Sequence, residues 1–194
     1  VFAILLLAAG QGRRFKEAGG STYKLLTLLH PACTVLRRSC ENLLQTGWPV
    51  HVITGAHEME IREALKGLDV AYIPNPDAHA GLGTSIASGV TATADAEGWL
   101  IALGDMPFIQ PESICCIARA MESGATIAFP THEGKRGHPV GFSCRFANEL
   151  MALEGDTGAQ KILAENRNAW VSVSVHDGGI LRDIDLPRDL PFAF

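Results

Sequence analysis

The segment Gly10-Gln11-Gly12-Arg13-Arg14 joins small residues to two guanidinium groups, and Lys24 follows on the same stretch. Small residues let main-chain N–H groups approach phosphate oxygens, and nearby cations offset the charge. Arg14 could grip a phosphate with two N–H bonds, and Lys24 could act as a point charge on a leaving group. The fragment begins like the dinucleotide fingerprint G-x-G-x-x-G, but Phe15 stands where the third glycine belongs. Lys24 also has no P-loop context, so a nicotinamide dehydrogenase and a P-loop ATPase are both disfavoured. What remains is a phosphate-holding loop, with a plain strand and turn carrying surface arginines as the bland alternative.

Ile-Ala-Leu-Gly-Asp-Met-Pro at 101–107 delivers Asp105 at the end of an apolar run. A carboxylate placed there suits Mg2+, which takes oxygen ligands and completes its shell with phosphates and water. A helix cap is the competing role, but the helix signal begins at Pro111, which makes Gln110 the cap position. Asp185 in Arg-Asp-Ile-Asp-Leu-Pro is the second candidate ligand, and Asp183 reads as structural. Gly81 and Gly83 permit close approach of a flat base or sugar. Thr84 or Ser85 could cap the helix they open or bond a ligand. Lys135, Arg136 and His138 share one connection, either a solvated hairpin tip or a clamp for an anionic second substrate. Asp156 reads as the N-cap of a helix starting near Gly158. The isolated His30, His51, His57, His132 and His176 have no metal-ligand spacing. No Ser-His-Asp, Cys-His or G-x-S-x-G arrangement supports covalent acyl transfer.

Such residues need a frame that gathers them. Short apolar runs at 2–9, 50–54, 70–73, 98–103, 126–129, 139–143 and 170–175 read as strands. Helical spacing occupies 34–46, 58–66, 83–93, 111–123, 145–153 and 158–166, with Gly47, Gly67 and Gly124 placed as stops. Alternation of the two predicts a mostly parallel sheet covered on both faces. An antiparallel excursion is expected at 126–143, where two strand-like runs follow each other without a helix. In such sheets ligands collect at the carboxyl ends of the strands. Gly10–Arg14, Thr54-Gly55, 74–85, Gly104–Pro107 and Asp183 with Asp185 then fall on one rim.

Composition limits the function classes. A chain of 194 residues, 47% hydrophobic and 19% charged, fits one domain spanning 1–194 with a substantial core. The net charge of −5 gives no broad attraction to nucleic acid or to an anionic membrane. The five cysteines include no C-x-x-C pair and read as reduced thiols, consistent with a cytoplasmic protein. Val1–Ala9 is about half the length of a bilayer span and lacks a positive flank, so neither an anchor nor a signal peptide is expected.

Taken in order, LLLAAGQGRRF (5–15), Lys24, GLGTS (81–85), LGDMP (103–107), GHPVGF (137–142), GDTGA (155–159) and DIDLPRDL (183–190) resemble the molybdenum-cofactor nucleotidyltransferase family. The CTP:molybdopterin cytidylyltransferase branch is nearest. The resemblance implies a three-layer α/β/α, Rossmann-like nucleotidyltransferase fold. It places Leu7, Ala8, Ala9, Gly10, Gln11, Gly12 and Arg13, with Gly55, Gly81, Gly83 and Ser85, around the nucleotide. It makes Arg14, Lys24 and Asp105 catalytic and gives Mg2+ to Asp105 and Asp185; His138 and Arg136, on the basic connection, are the candidates for holding the acceptor. The implied substrates are CTP and molybdopterin, with a molybdoenzyme as client. "LAAG", where the guanylyl branch resembles "LAGG", favours CTP, because a methyl group narrows the pocket. Two departures stand out: the stretch from Phe15 to Lys24 is longer than the family's and lacks a glycine directly after Phe15, and "LLHPAC" replaces a glycine-containing turn. Other phosphorylated acceptors (methylerythritol phosphate, phospholactate or a sugar phosphate) and a non-catalytic cofactor-delivery role remain the alternatives.

Overall fold

Strand β1 (Ala3–Leu7) buries all five of its side chains, which a strand can do only inside a sheet covered on both faces. The computed structural model describes residues 1–20 and 22–191. After β1 come α1 (Arg13–Glu17), the hairpin strands β2 (Leu28–His30) and β3 (Cys33–Thr34), α2 (Val35–Leu44), β4 (Val50–Thr54), α3 (Glu58–Ala64) and β5 (Val70–Pro74). They are followed by α4 (Leu82–Ala92), β6 (Gly98–Leu103), α5 (Pro111–Glu122), β7 (Ile127–His132), β8 (Lys135–Arg136), β9 (Val140–Ser143), α6 (Ala147–Met151), α7 (Gln160–Glu165) and β10 (Trp170–Ser174).

The main sheet runs β10-β7-β9-β6-β1-β4-β5, with β8 paired to β7. β1 lies parallel between β4 and β6, while β9 runs antiparallel to both β6 and β7. The expected three-layer, mostly parallel architecture with an antiparallel excursion at 126–143 is therefore what forms. Side chains alternate across the sheet. Ile4 and Leu6 enter one core with Leu36, Ile61, Leu100 and Ile114, and Leu5 enters the other with Ile53, Ile86, Trp99 and Phe142.

All seven runs read as strands are strands; β5 and β10, at the two edges of the sheet, are only partly buried. The structure adds β2, β3 and β8, which are too short to show a period. It also turns Arg13 and Arg14, expected in a loop, into the first turn of α1. Gly12, at φ +61°, caps that helix in the left-handed region. Gly47, Gly67 and Gly124, placed as helix stops, all have positive φ. The 145–153 segment starts as a 3-10 turn at Cys144–Phe146 before α6. The helix expected from 158 begins at Gln160 and has Ala159, not Asp156, as its cap. No helix among the described residues is long and apolar enough to cross a membrane.

Candidate active site

The parallel strands β1, β4 and β6 end on the same side of the sheet. A cleft of about 670 Å³ opens there. Of the residues assigned to the nucleotide, Leu7, Ala9, Gly10, Gln11, Gly12, Arg13, Gly81 and Ser85 line it, together with Arg14, Lys24, Asp105 and Asp185. Beyond Ala8, whose N–H still donates to Ile53 O, the chain stops pairing. The main-chain N–H groups of Gly10, Gln11, Gly12 and Arg13 have no acceptor among the described residues. This is the donor array a polyphosphate requires.

At the centre, the Lys24 ammonium donates to Asp105 Oδ2 at 2.7 Å and to Asp185 Oδ1 at 3.2 Å. Arg14 Nη1 donates to the other oxygen of Asp185. Burial would lower the Lys24 pKa, but Asp105 and then Asp185 outweigh it and raise it above the usual lysine value. Lys24 follows a tyrosine that packs on the first loop, so the long 15–24 connection still delivers it to the carboxylates. That connection is compact at its start. Phe15 is buried, and a Cβ on Gly20 would fall 2.3 Å from the Phe15 ring. Gly20 thus leaves the room that the Phe15 ring occupies.

Asp105 is fixed through its backbone and its loop. Its carbonyl accepts from Ile184 N, Ser39 Oγ donates to Gly104 O, and Asn42 Nδ2 donates to Pro107 O and Ile109 O. Asp185 is held from the far side, since Asp189 Oδ2 accepts from the N–H groups of Asp185 and Leu186. Asp183, read as structural, joins them: one carboxylate oxygen from each of Asp105, Asp183 and Asp185 lies within 4.8 Å of the others. Burial raises the Asp183 pKa, and the neighbouring Asp105 and Asp185 add to the rise. Asp105 Oδ1 is buried without a hydrogen-bond partner. Three hard oxygen donors with an orphaned buried oxygen fit a small divalent cation.

Other expectations are corrected by the coordinates. Ala8 points into the core and is 1% exposed, because the strand alternation continues past Leu7. Gly55 and Gly83 do not line the cleft. A Cβ on Gly55 would stand 3.0 Å from Ala9 O, and one on Gly83 would stand 2.7 Å from Glu154 O. Both glycines permit backbone packing that supports the site from behind. A Cβ on Gly81 would overlap Gly155, so Gly81 combines close packing with a place on the cleft wall. Ser85 Oγ accepts from Asn75 Nδ2 at 3.1 Å. Thr84 Oγ1 donates to the carbonyls of Gly81 and Asp77. Asp156, expected to cap a helix, lines the cleft instead.

Arg136 and His138 part company. Pairing of Arg136 with Thr131 draws the arginine into β8, and its guanidinium lies over the Phe129 and Trp170 rings. Neither Arg136 nor His138 is among the residues lining the cleft. His138 leads into β9, next to the antiparallel pair Ile101↔Val140 and therefore near the end of β6. Its main-chain N–H donates to Ile180 O, and Nδ1 is buried without a partner. Burial, and after it the Arg136 charge, lower its pKa to about 4 against the opposing pull of Asp183.

A neutral buried histidine has a stability consequence. Between its folded value and the ordinary one of 6.5, the unfolded chain binds the proton and the folded chain does not, so stability falls as pH falls. From pH 7 to pH 5 this group should cost about 2 kcal/mol. Urea unfolding at both pH values should show His138→Gln losing less stability than the parent. Equal losses would place the acid sensitivity elsewhere.

The family model described as MobA-like NTP transferase domain matches residues 4–170. Among solved structures, the Rv0371c homologue from Mycobacterium sp. strain JC1 is 28% identical, with 97% of this chain and 92% of that chain covered and a TM-score of 0.82. Rv0371c from Mycobacterium tuberculosis, solved in complex with manganese, is 25% identical, with 97% and 94% covered and a TM-score of 0.77. A nucleotidyl transferase from Methanothermobacter shares the fold at 24% identity, 97% and 93% coverage and a TM-score of 0.82. Among curated proteins none matches.

Proposed function

The chain belongs to the MobA-like NTP transferase family and is a nucleotidyltransferase, and on that premise we propose that it moves CMP from CTP to the terminal phosphate of molybdopterin. The observation that carries this reading is the meeting of an unpaired N–H array with Lys24, Arg14, Asp105 and Asp185 in one cleft. An oxygen of the acceptor phosphate attacks the α-phosphorus of CTP, the bond to the bridging oxygen breaks, and pyrophosphate leaves. A phosphate monoester is already a nucleophilic oxyanion near neutral pH, so the reaction calls for positioning and charge more than for a general base.

Asp105 and Asp185, with Asp183, would hold Mg2+, which when bound offsets charge on the phosphate oxygens. The chain's own cations do the rest. Lys24 and Arg14 can turn from the carboxylates to the leaving pyrophosphate, where charge grows as the bond breaks. Gly10–Arg13 fix the triphosphate through main-chain donors, and Gly81 and Ser85 form the wall for the ribose and base. His138, neutral and with Nδ1 unpartnered, can hydrogen-bond the acceptor without drawing the metal carboxylates away.

Ala9 supports cytosine over guanine. It is 7% exposed, on the cleft wall, with its carbonyl close against Gly55. A methyl group on that wall would take space a purine needs. Pyrophosphate release, measured with each of the four NTPs against a panel of phosphorylated acceptors, is expected to be fastest with CTP and molybdopterin. Ala9→Gly should shift kcat/KM toward GTP relative to CTP by about tenfold, the usual discrimination from one carbon. A better acceptor among methylerythritol phosphate, phospholactate and sugar phosphates would reassign the substrate. No turnover with any acceptor, alongside tight binding of the cofactor, would establish a delivery protein instead.

A further inference from the structure

Tyr23 belongs to none of the motifs, yet it holds the loop on which the nucleotide reading depends. Its hydroxyl lies 3.1 Å from Ala8 O and also bonds Gly10 O. Its ring stacks on His57 with centroids 4.2 Å apart and packs where a Cβ on Gly12 would stand, at 3.6 Å. Burial, with Asp105 nearby, raises the phenol pKa above its ordinary value, so the hydroxyl keeps its proton and remains a donor.

The first loop has little else to hold it. The loop borders both the cleft and a second hollow of about 310 Å³, which is lined also by Tyr23, His57, Ala56 and Lys16. A Cβ on Gly10 would meet no atom within 4 Å, so packing does not pin that residue. Ala9 rests against Gly55 and Ala8 N donates to Ile53 O, but the Gly10 carbonyl has only the Tyr23 hydroxyl among the described residues. Peptide planes rotate as units, so fixing the Gly10 carbonyl also fixes the N–H of Gln11.

We propose that Tyr23 is a positioning residue for the nucleotide: its hydroxyl anchors the Ala8 and Gly10 carbonyls and thereby holds the loop's N–H groups toward the triphosphate. The same residue immediately precedes Lys24, so it ties the loop and the phosphate-seeking ammonium to one anchor. This rests on the nucleotidyltransferase reading above.

Tyr23→Phe removes the hydroxyl and keeps the ring on His57. Calorimetric titration of CTP with Mg2+ should show affinity falling about tenfold in Y23F, as expected when a constrained donor array loosens. In the transfer assay KM for CTP should rise by a similar factor while kcat stays within about threefold. Titrations are run at least about 15 °C below the variant's melting midpoint, where a two-state fold is intact and lost stability cannot imitate lost binding. His57→Ala, which leaves the hydroxyl in place, should lose less affinity than Y23F. If the parent binds no nucleoside triphosphate at all, the function reading fails. If the parent binds and Y23F binds within twofold of it, or loses kcat rather than affinity, the role given to Tyr23 fails while the function stands.

Discussion

Asp105→Asn is expected to lower kcat/KM by about a thousandfold, about 4 kcal/mol of transition-state stabilisation, while the protein stays folded. The substitution keeps size and shape and removes one negative charge from a group whose Oδ2 takes the Lys24 ammonium and whose Oδ1 is buried and unpartnered. An amide is a far poorer ligand for a hard divalent cation than a carboxylate. The fold should tolerate the change because the structural work at this position is done by the main chain. Asp105 O accepts from Ile184 N, Ser39 secures Gly104, and Asn42 secures the next turn. Lys24 also keeps Asp185 as a partner. Pyrophosphate release and a melting curve on the same preparation check both halves. Activity above about a tenth of the parent, ~1.4 kcal/mol, would remove Asp105 from the metal role.

The position of Asp105 was legible because its signals are local and redundant: a buried β6, a glycine, a carboxylate and a proline in one short stretch. The site's other half was legible less evenly. Asp183 and Asp185 flank Ile184, which is fully buried. Alternate residues on an extended chain share a face, so an Asp-Ile-Asp triplet with a core isoleucine should have put both aspartates together. Arg136 is the opposite case. Lys135, Arg136 and His138 are close in sequence, but a strand pairing sends Arg136 toward Trp170 while His138 leads into β9 with its N–H on Ile180 O. Charge composition along a connection carries no information about such a divergence. Gly55 and Gly83 follow glycine's other use, close backbone approach, which no single sequence distinguishes from ligand approach. Tyr23 lay out of reach because its partners are carbonyl groups, and every residue has one.

Lys24→Met should act in two opposite directions, which makes it the more discriminating substitution. Transfer should fall by about a hundredfold to a thousandfold, the loss typical when one charged donor is removed from a developing anion. Binding of Mn2+ in the absence of nucleotide should instead become about tenfold tighter. In the structure the ammonium sits between Asp105 and Asp185, 13% exposed, and Arg14 occupies the remaining Asp185 oxygen. The carboxylates a cation needs are therefore neutralised by the protein's own cations, and a partly buried charge pair of this kind is costly to part without a replacement. Methionine cannot fill that role, so the carboxylates should turn to the metal. In the parent, a triphosphate should offer Lys24 and Arg14 another anion and so free the carboxylates. Nucleotide and metal should then strengthen each other's binding by the same factor, as linkage requires. Electron paramagnetic resonance titration of Mn2+ with and without CTP, on parent and K24M, measures every term. Strong coupling in the parent that nearly vanishes in K24M is the expected result. Unchanged metal affinity in K24M would mean that Lys24 already stands clear of the carboxylates in solution, and its part in catalysis would have to be argued from the triphosphate alone.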